Sequence, residues 1–480
     1  MNLADYISAA PEMTLLGLIC VVLIADLFVD DEHRVLTFWM SIAALGITIW
    51  TLLATAPVER VIVFDGSYVS DPLSQILKVT AVGFVALAFL YARDYLRTND
   101  LHKGEFYVLG LFGLLGMIIM ISANSLLTMY LGLETLALSL YTLVAFDRNN
   151  ATSAEAAMKY FVLGAIASGA LLYGISWIYG VTGTLKFDEI AAAIVADPSL
   201  NSLPLWFGLA FLIVGISFKF GAVPFHMWLP DVYQGARTPV TLYIASAPKL
   251  AALAFTLRIL VDGLGGLHDV WADMIMVVAV LSLLVGNVIA IAQTNIKRML
   301  GYSTIAHVGF ILLAIFCGTD KGYAAALFYT LTYIVAAAGS FGIIILLSRR
   351  GFDAENPSDF KGLNARSPWF ALMMMFLMFS LAGVPPFIGF FGKLNVIDAV
   401  LSSGYPGLAI LMVLASVVGA FYYLRVIWYM YFEQGEDQAV LQASTDTRLV
   451  LSLNGVAVLA LGIVPGWLWA LCTQIALSIR

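Results

Sequence analysis

Residues 205–231 read LWFGLAFLIVGISFKFGAVPFHMWLPD, and the fold turns on them. The first fourteen carry no charge, as expected of a chain crossing a bilayer, where a helix takes roughly 20 mostly apolar residues. Lys219, a glycine, Pro224, His226, Pro230 and Asp231 then interrupt the run. Pro224 deletes one backbone N–H and turns residue 223 away from helix. In lipid the carbonyls so freed must be met by side chains or water. The stretch therefore reads as a membrane helix broken beside a cation, with a small hydrated pocket expected next to Lys219 and His226. Pro230 and Asp231 restart the chain, and Asp231 is expected to cap a helix.

The whole chain has the same character. Of its 480 residues, 61% are hydrophobic and only 11% charged, against about 25% charged in a soluble domain. Lipid must be its solvent. The net charge of −7 comes with no basic patch, which speaks against nucleic acid as a partner. Cys20, Cys317 and Cys472 lie far apart in apolar runs. That excludes Cys-ligated iron–sulfur clusters and offers no disulfide. The five histidines are scattered without ligand spacing, so no metal site is expected. The start, MNLADYISAAPEM, has no basic n-region, so the first apolar run is expected to be a permanent span rather than a signal peptide.

Fourteen spans are expected, giving an all-α polytopic membrane protein. They lie near 11–28, 35–54, 72–92, 105–123, 125–146, 155–180, 204–234, 239–261, 270–291, 297–317, 321–348, 367–402, 406–432 and 447–475. Spans 7 and 12 are long and proline-broken, at FKFGAVPF (218–225) and FSLAGVPPFIGFFGK (379–393). Spans 4–8 and 9–13 form two five-helix units, and an odd number per unit makes the second run inverted. Paired breaks in inverted repeats point to a transport site. The domains are then 1–104, three N-terminal spans; 105–261, the first unit; 262–432, the second; and 433–480, a loop and the last span. Thirteen Lys and Arg residues fall in the odd-numbered connections, against three in the even-numbered ones plus Arg480 in the tail. This asymmetry predicts odd connections in the cytoplasm and both termini outside.

Seven cations remain inside spans. A charge at the bilayer centre costs roughly 2.5–3.5 kcal/mol, so four unpaired ones would cost about 10–14 kcal/mol. They must be paired or hydrated. Glu134, in mid-span 5, reads either as half of an ion pair or as a relay carboxylate. Lys219 could snorkel. Alternatively it titrates, since a lysine loses its proton when desolvated and regains it when a carboxylate approaches. Glu134 and Lys219 are the natural couple. Lys249, in TLYIASAPKLAALAF (241–255), and Lys393, seven residues past Pro386, are the next mid-membrane cations. His226 and His307 suit a relay between lysines, though a lone histidine is often a satisfied core residue. Lys159 lies close to the cytoplasmic face and snorkelling explains it equally well. Lys78, Arg258 and Arg425 are expected to snorkel. The aromatic run FYYLRVIWYMYF (421–432) reads as an interfacial belt, and GLLG (113–116) as a close-packing seam.

VPFHMWLPDVYQGARTPVT (223–241), NIKRMLGYSTIAHVGF (295–310), FSLAGVPPFIGFFGK and LGLETLALSLY (131–141) together resemble the antiporter-like membrane subunits of bacterial respiratory complex I, the NADH–quinone oxidoreductase. The likeness runs through essentially the whole chain. Lysine rather than glutamate at Lys393, and the short C-terminus, favour the N type over the M and L types. The chain departs from the commoner GAPT loop with GARTPV, which adds Arg237.

The resemblance implies a proton-translocating subunit of the membrane arm. Glu134, Lys219, Lys249 and Lys393 would carry its polar chain, with His226 and His307 as intermediates. NADH, FMN, the iron–sulfur clusters and quinone would belong to other subunits, leaving no redox centre here. Partners would be the M-type antiporter-like subunit, small K-, J- and A-type subunits and the lipid of the bacterial inner membrane. A cation/proton antiporter or membrane-bound hydrogenase subunit is the alternative. A passive scaffold is a third reading, which gives mid-span lysines no purpose.

Overall fold

The computed structural model describes residues 3–435, 441 and 443–479. Arg480, and residues 436–440 and 442 of the loop before the last span, lie outside the described residues.

Among the described residues, twelve helices are long and apolar enough to cross a membrane. Ala10–Asp26 and the broken pair Pro368–Ala382 and Ile388–Ser402 bring the count to the expected fourteen. Spans 1–6 are Ala10–Asp26, Val35–Ala54, Pro72–Thr98, Gly104–Ile121, Leu126–Val144 and Ala151–Thr182. Spans 9, 10, 11 and 13 are His268–Ala292, Ile296–Phe316, Asp320–Leu347 and Pro406–Phe432.

Span 7 is Leu203–Phe220 followed, after a break, by Trp228–Gly235. Span 12 breaks the same way between Ala382 and Ile388. Each first half ends on a left-handed glycine, Gly221 at φ 75° and Gly383 at φ 84°, a backbone that side-chain-bearing residues rarely adopt. Each break also holds a cis peptide, Val223–Pro224 and Pro385–Pro386.

Two further interruptions were not expected. Span 8 is Thr238–Ala245, then Pro248–Leu257, closing in a π turn at Arg258–Gly263. Pro248 has no N–H to give and crowds the carbonyl one turn back. Span 14 is Thr445–Ile463 and Gly466–Leu477, parted at Pro465. Asp231 is not a cap either. It sits in the first turn of Trp228–Gly235, which has no side-chain cap, and is ion-paired instead.

The connections sort onto two faces. Arg237 joins connections 5, 7 and 11 through Asp147 and Asp353, both at 2.6 Å. Arg350 reaches Asp100, linking 11 to 3, and Lys361 reaches Glu433, linking 11 to 13. On the other face Asn124 reaches Asp188, linking 4 to 6, and Arg60 reaches Asp262, linking 2 to the end of span 8. Odd connections bond to odd and even to even, as alternating spans require.

Spans 8, 10 and 11 are almost wholly enclosed by other helices. Spans 4 and 5 touch backbone to backbone, where a Cβ on Gly116 would lie 2.5 Å from the Leu136 amide nitrogen. Spans 9 and 10 repeat this, with Gly286 at 2.6 Å from the Ala306 nitrogen. Close approach of this kind follows from small residues where helices gain no hydrophobic drive from lipid.

Candidate functional site

Glu134 is the ninth residue of the 19-residue span 5, and the Ser168 hydroxyl of span 6 donates to its carboxylate. Ser168 also lines a small cavity with Gly215, Lys219, Trp228, Tyr141 and Tyr160. The cavity offers about 20 Å³ to the centre of a water molecule, room for about one water. Glu134 and Lys219 are the expected couple, and the field of Glu134 does act on Lys219. They are not joined by an ion pair; Ser168, bonded to Glu134, shares the lining of the cavity with Lys219. The Lys219 ammonium has no hydrogen-bond partner among the described residues.

The break in span 7 frees backbone groups, and three of the groups around it find side-chain partners. Lys249 of span 8 donates its ammonium to the Phe220 carbonyl at 2.8 Å. The Trp228 indole donates to the Phe218 carbonyl at 2.9 Å. The Val223 amide donates to the Ser282 hydroxyl of span 9 at 2.9 Å. The pocket therefore adjoins Lys219 but not His226, contrary to the expected pairing. His226 packs edge-on to the Tyr302 ring at 6.5 Å.

Span 12 repeats the arrangement from its own second half. Lys393 donates to the Ala382 carbonyl at 2.8 Å, and its ammonium lies 5.6 Å above the Phe310 ring. A Cβ on Gly383 would come within 2.8 Å of Lys393 Cδ, so the glycine also leaves space for the lysine stem. Both cations sit at helix C-termini, where the last carbonyls are negative ends of a dipole. A second cavity, about 10 Å³ by the same measure, is lined by His307, Tyr329, Ser380 and Gly389. It lies among spans 10, 11 and 12, as the first lies among spans 5, 6 and 7.

His307 is enclosed and held at both ring nitrogens. Nδ1 shares a hydrogen bond with the Tyr329 hydroxyl at 2.7 Å, and Nε2 with that of Tyr423 at 2.9 Å. Tyr423 also bonds Ser303, and Tyr422 donates to Asn287 at 3.1 Å. The sequence reading missed this network. It took 421–432 for an interfacial belt, yet Tyr422 and Tyr423 are fully buried. Asn287, alone in an apolar stretch of span 9, was the available signal.

The charges fall into two sets. Glu134 acts on Lys219 and Lys219 on Lys249, while Lys393 acts on His307. Lys159 belongs to neither. It lies at the entrance of span 6, paired with Glu155 and Asp231 at 2.9 Å each, and Asp231 also receives Arg298 at 2.5 Å.

Three expected snorkellers do not snorkel. Lys78 is buried and paired with Glu12 at 2.5 Å and with the Tyr68 hydroxyl at 2.9 Å. Arg258 is wholly buried between Asp71 at 2.8 Å and Asp262 at 2.9 Å. Arg425 donates to the Ile291 and Gln293 carbonyls at the end of span 9. Helix-end position alone did not reveal that each had a partner on another span. Among the described residues no three His, Cys, Asp or Glu side chains converge as a metal site.

Residues 123–419 match the family model described as NADH:quinone oxidoreductase/Mrp antiporter, TM. The chain is 56% identical to NADH-quinone oxidoreductase subunit N of Thioalkalivibrio sulfidiphilus, covering 98% of each chain. It is similar to a chain of respiratory complex I from Thermus thermophilus at 30% identity and TM-score 0.83, covering 96% of this chain and 98% of that one. A chain of the archaeal membrane-bound sulfane sulfur reductase gives 26% identity and TM-score 0.85, over 100% and 98%. With the paired breaks and the lysines seated on them, these likenesses agree on one assignment: the chain belongs to the NADH-quinone oxidoreductase subunit N family, the antiporter-like membrane subunits of complex I.

Proposed function

We propose that the chain translocates protons across the bacterial inner membrane, from cytoplasm to periplasm, along Glu134, Lys219, Lys249, His307 and Lys393 with intervening water. NADH oxidation at FMN and the iron–sulfur clusters, and quinone reduction, take place in other subunits and drive it. One observation carries this reading. Two mid-membrane ammonium groups, Lys249 and Lys393, each rest on the end carbonyl of a broken helix. A neutral amine leaves that carbonyl far more readily than a cation does, so each lysine can load and release a proton without the fold losing a structural ion pair.

In this scheme a change in the distance between Glu134 and Lys219 starts transfer. Approach of the carboxylate favours the charged lysine, and withdrawal lets desolvation dominate. The proton passes to Lys249 and then to the His307–Lys393 set, with the Tyr422–Tyr423 hydroxyls bridging spans 9, 10 and 13. His226, near Tyr302, is a second bridge. Lys159 and Asp231 lie at the cytoplasmic entrance. Residues 105–261 and 262–432 act as the two inverted units.

Partner subunits of the M, K, J and A types would adjoin the chain. The part-buried Glu134 and the exposed Lys159–Glu155 pair share the side of spans 5 and 6, and charge in the membrane requires a polar neighbour rather than lipid. A cation/proton antiporter reading needs free oxygen ligands at mid-membrane. Here the freed carbonyls are already taken by lysines, which disfavours it. Lys219→Ala, assayed for quinone-coupled proton pumping in vesicles, tests the scheme. Pumping should fall while the complex still assembles, and unchanged pumping removes Lys219 from the route.

A further inference from the structure

A cavity of about 660 Å³ opens between the odd-connection ends of spans 1, 2, 4 and 5, within the range of roughly 300–1,000 Å³ that small-molecule sites occupy. It is far larger than the two cavities of the polar row and shares no residue with them. Its wall is apolar, including Leu23, Leu27, Leu109 and Phe112, and its rim is charged. At the rim Arg34 is committed to Asp26 at 2.7 Å, which also receives the Thr37 hydroxyl at 2.6 Å. Lys103 and Arg148 are exposed and take part in no ion pair among the described residues. Glu105, also exposed, stands beside them on the first turn of span 4.

We propose that this cavity is a phospholipid site, with the lipid phosphate between Lys103 and Arg148 and an acyl chain along Leu23, Leu27, Leu109 and Phe112. The arrangement matches the order of chemistry along a lipid. Unpaired cations lie at headgroup depth, where the spans leave the membrane, and the apolar wall continues inward from them. Basic pockets between spans on one face of a membrane recognise lipid headgroups in this way. Neither cation is neutralised among the described residues, whereas the neighbouring Arg34 is. Glu105 adds a preference. A headgroup bearing an ammonium, such as ethanolamine, completes the set of charges, whereas one ending in an uncharged glycerol leaves the carboxylate unmatched.

The test uses the intact complex in its native membrane with a photoactivatable phosphatidylethanolamine. Peptides around Leu23–Leu27, Lys103–Phe112 and Arg148 should carry the label. Lys103→Gln with Arg148→Gln should cut labelling about thirtyfold, the loss of two attractions of about 1 kcal/mol each. Leu109→Trp, which fills the apolar wall and keeps both cations, should cut it too. Lys361→Gln, a cation of the same face already paired with Glu433, should leave it unchanged. Glu105→Gln should erase the preference for the ethanolamine probe over a phosphatidylglycerol one. Labelling unaffected by the double substitution overturns the proposal, as does a segment of a neighbouring subunit filling the cavity in the complex. A preference that survives Glu105→Gln overturns the role of that carboxylate.

Discussion

The ammonium of Lys249 lies 2.8 Å from the carbonyl oxygen of Phe220, the last residue of the first half of span 7. Two irregularities meet there. Pro224 and Gly221 end one helix and leave its carbonyls free, and Pro248 interrupts the neighbouring helix just where it presents the lysine. Lys249→Met removes the donor and strands a buried acceptor, at a cost of about 1–3 kcal/mol. Proton pumping, followed by a pH-sensitive dye in vesicles at matched NADH oxidation, should fall more than about tenfold, the loss expected when a ~1.4 kcal/mol or larger contribution disappears. Lys249→Arg should retain part of it. Full pumping by Lys249→Met would take this residue off the path.

Gly383 serves Lys393 in two ways, through its φ of 84° and through the space it leaves beside the lysine stem. Gly383→Ala should shift Lys393 from the Ala382 carbonyl and add roughly 1–2 kcal/mol of left-handed strain. Pumping and the thermal stability of the complex should both drop. Gly407, with no atom within 4 Å of a built Cβ, is the matched control, and Gly407→Ala should change neither. Equal effects from the two substitutions would mean that local room around Lys393 is unimportant.

Arg258 fastens span 8 to the start of span 3 through Asp71 and also pairs with Asp262 of its own π turn. Removing one member of a buried ion cluster typically costs about 3–5 kcal/mol, because the remaining charges stay buried. Arg258→Met should therefore release the subunit from the complex at lower temperature, visible on native gels after heating. Arg350→Ala, which breaks an exposed pair with Asp100, should cost no more than about 1 kcal/mol. Comparable losses from both would contradict the burial argument.

The positive-inside asymmetry predicts that the even connections lie outside the cytoplasm. Ser199 lies exposed in connection 6 and Ser358 exposed in connection 11. With Cys317 and Cys472 buried and the exposed Cys20 replaced by serine, an impermeant maleimide should label Ser199→Cys in intact spheroplasts. Ser358→Cys should react only after permeabilisation. The opposite pattern inverts the topology and the direction of transport.

Much of the architecture was legible before any coordinates. Apolar length counts the spans, and prolines at 224 and 385–386 mark the two breaks, because both act through the local backbone. The break in span 8 was less legible, since Pro248 lies inside the apolar run TLYIASAPKLAALAF and hydropathy hides it. The site was half legible. Lys219, Lys249, Lys393 and Glu134 stand out because lipid penalises any charge. Tyr329, Tyr422 and Tyr423 do not, because tyrosine is at home both in a belt and in a core.

By itself the sequence determined the solvent of this protein, its fourteen helical passes, the two proline breaks and the presence of costly charges within them. Those follow from transfer energies and backbone geometry, which each residue carries wherever it is placed. Tertiary structure alone decided what each charge meets. Lys249 and Phe220 are 29 positions apart, and Arg258 and Asp71 are 187 apart. A hydrogen bond needs its two atoms within about 3 Å, and only the packing of distant helices brings such groups that close.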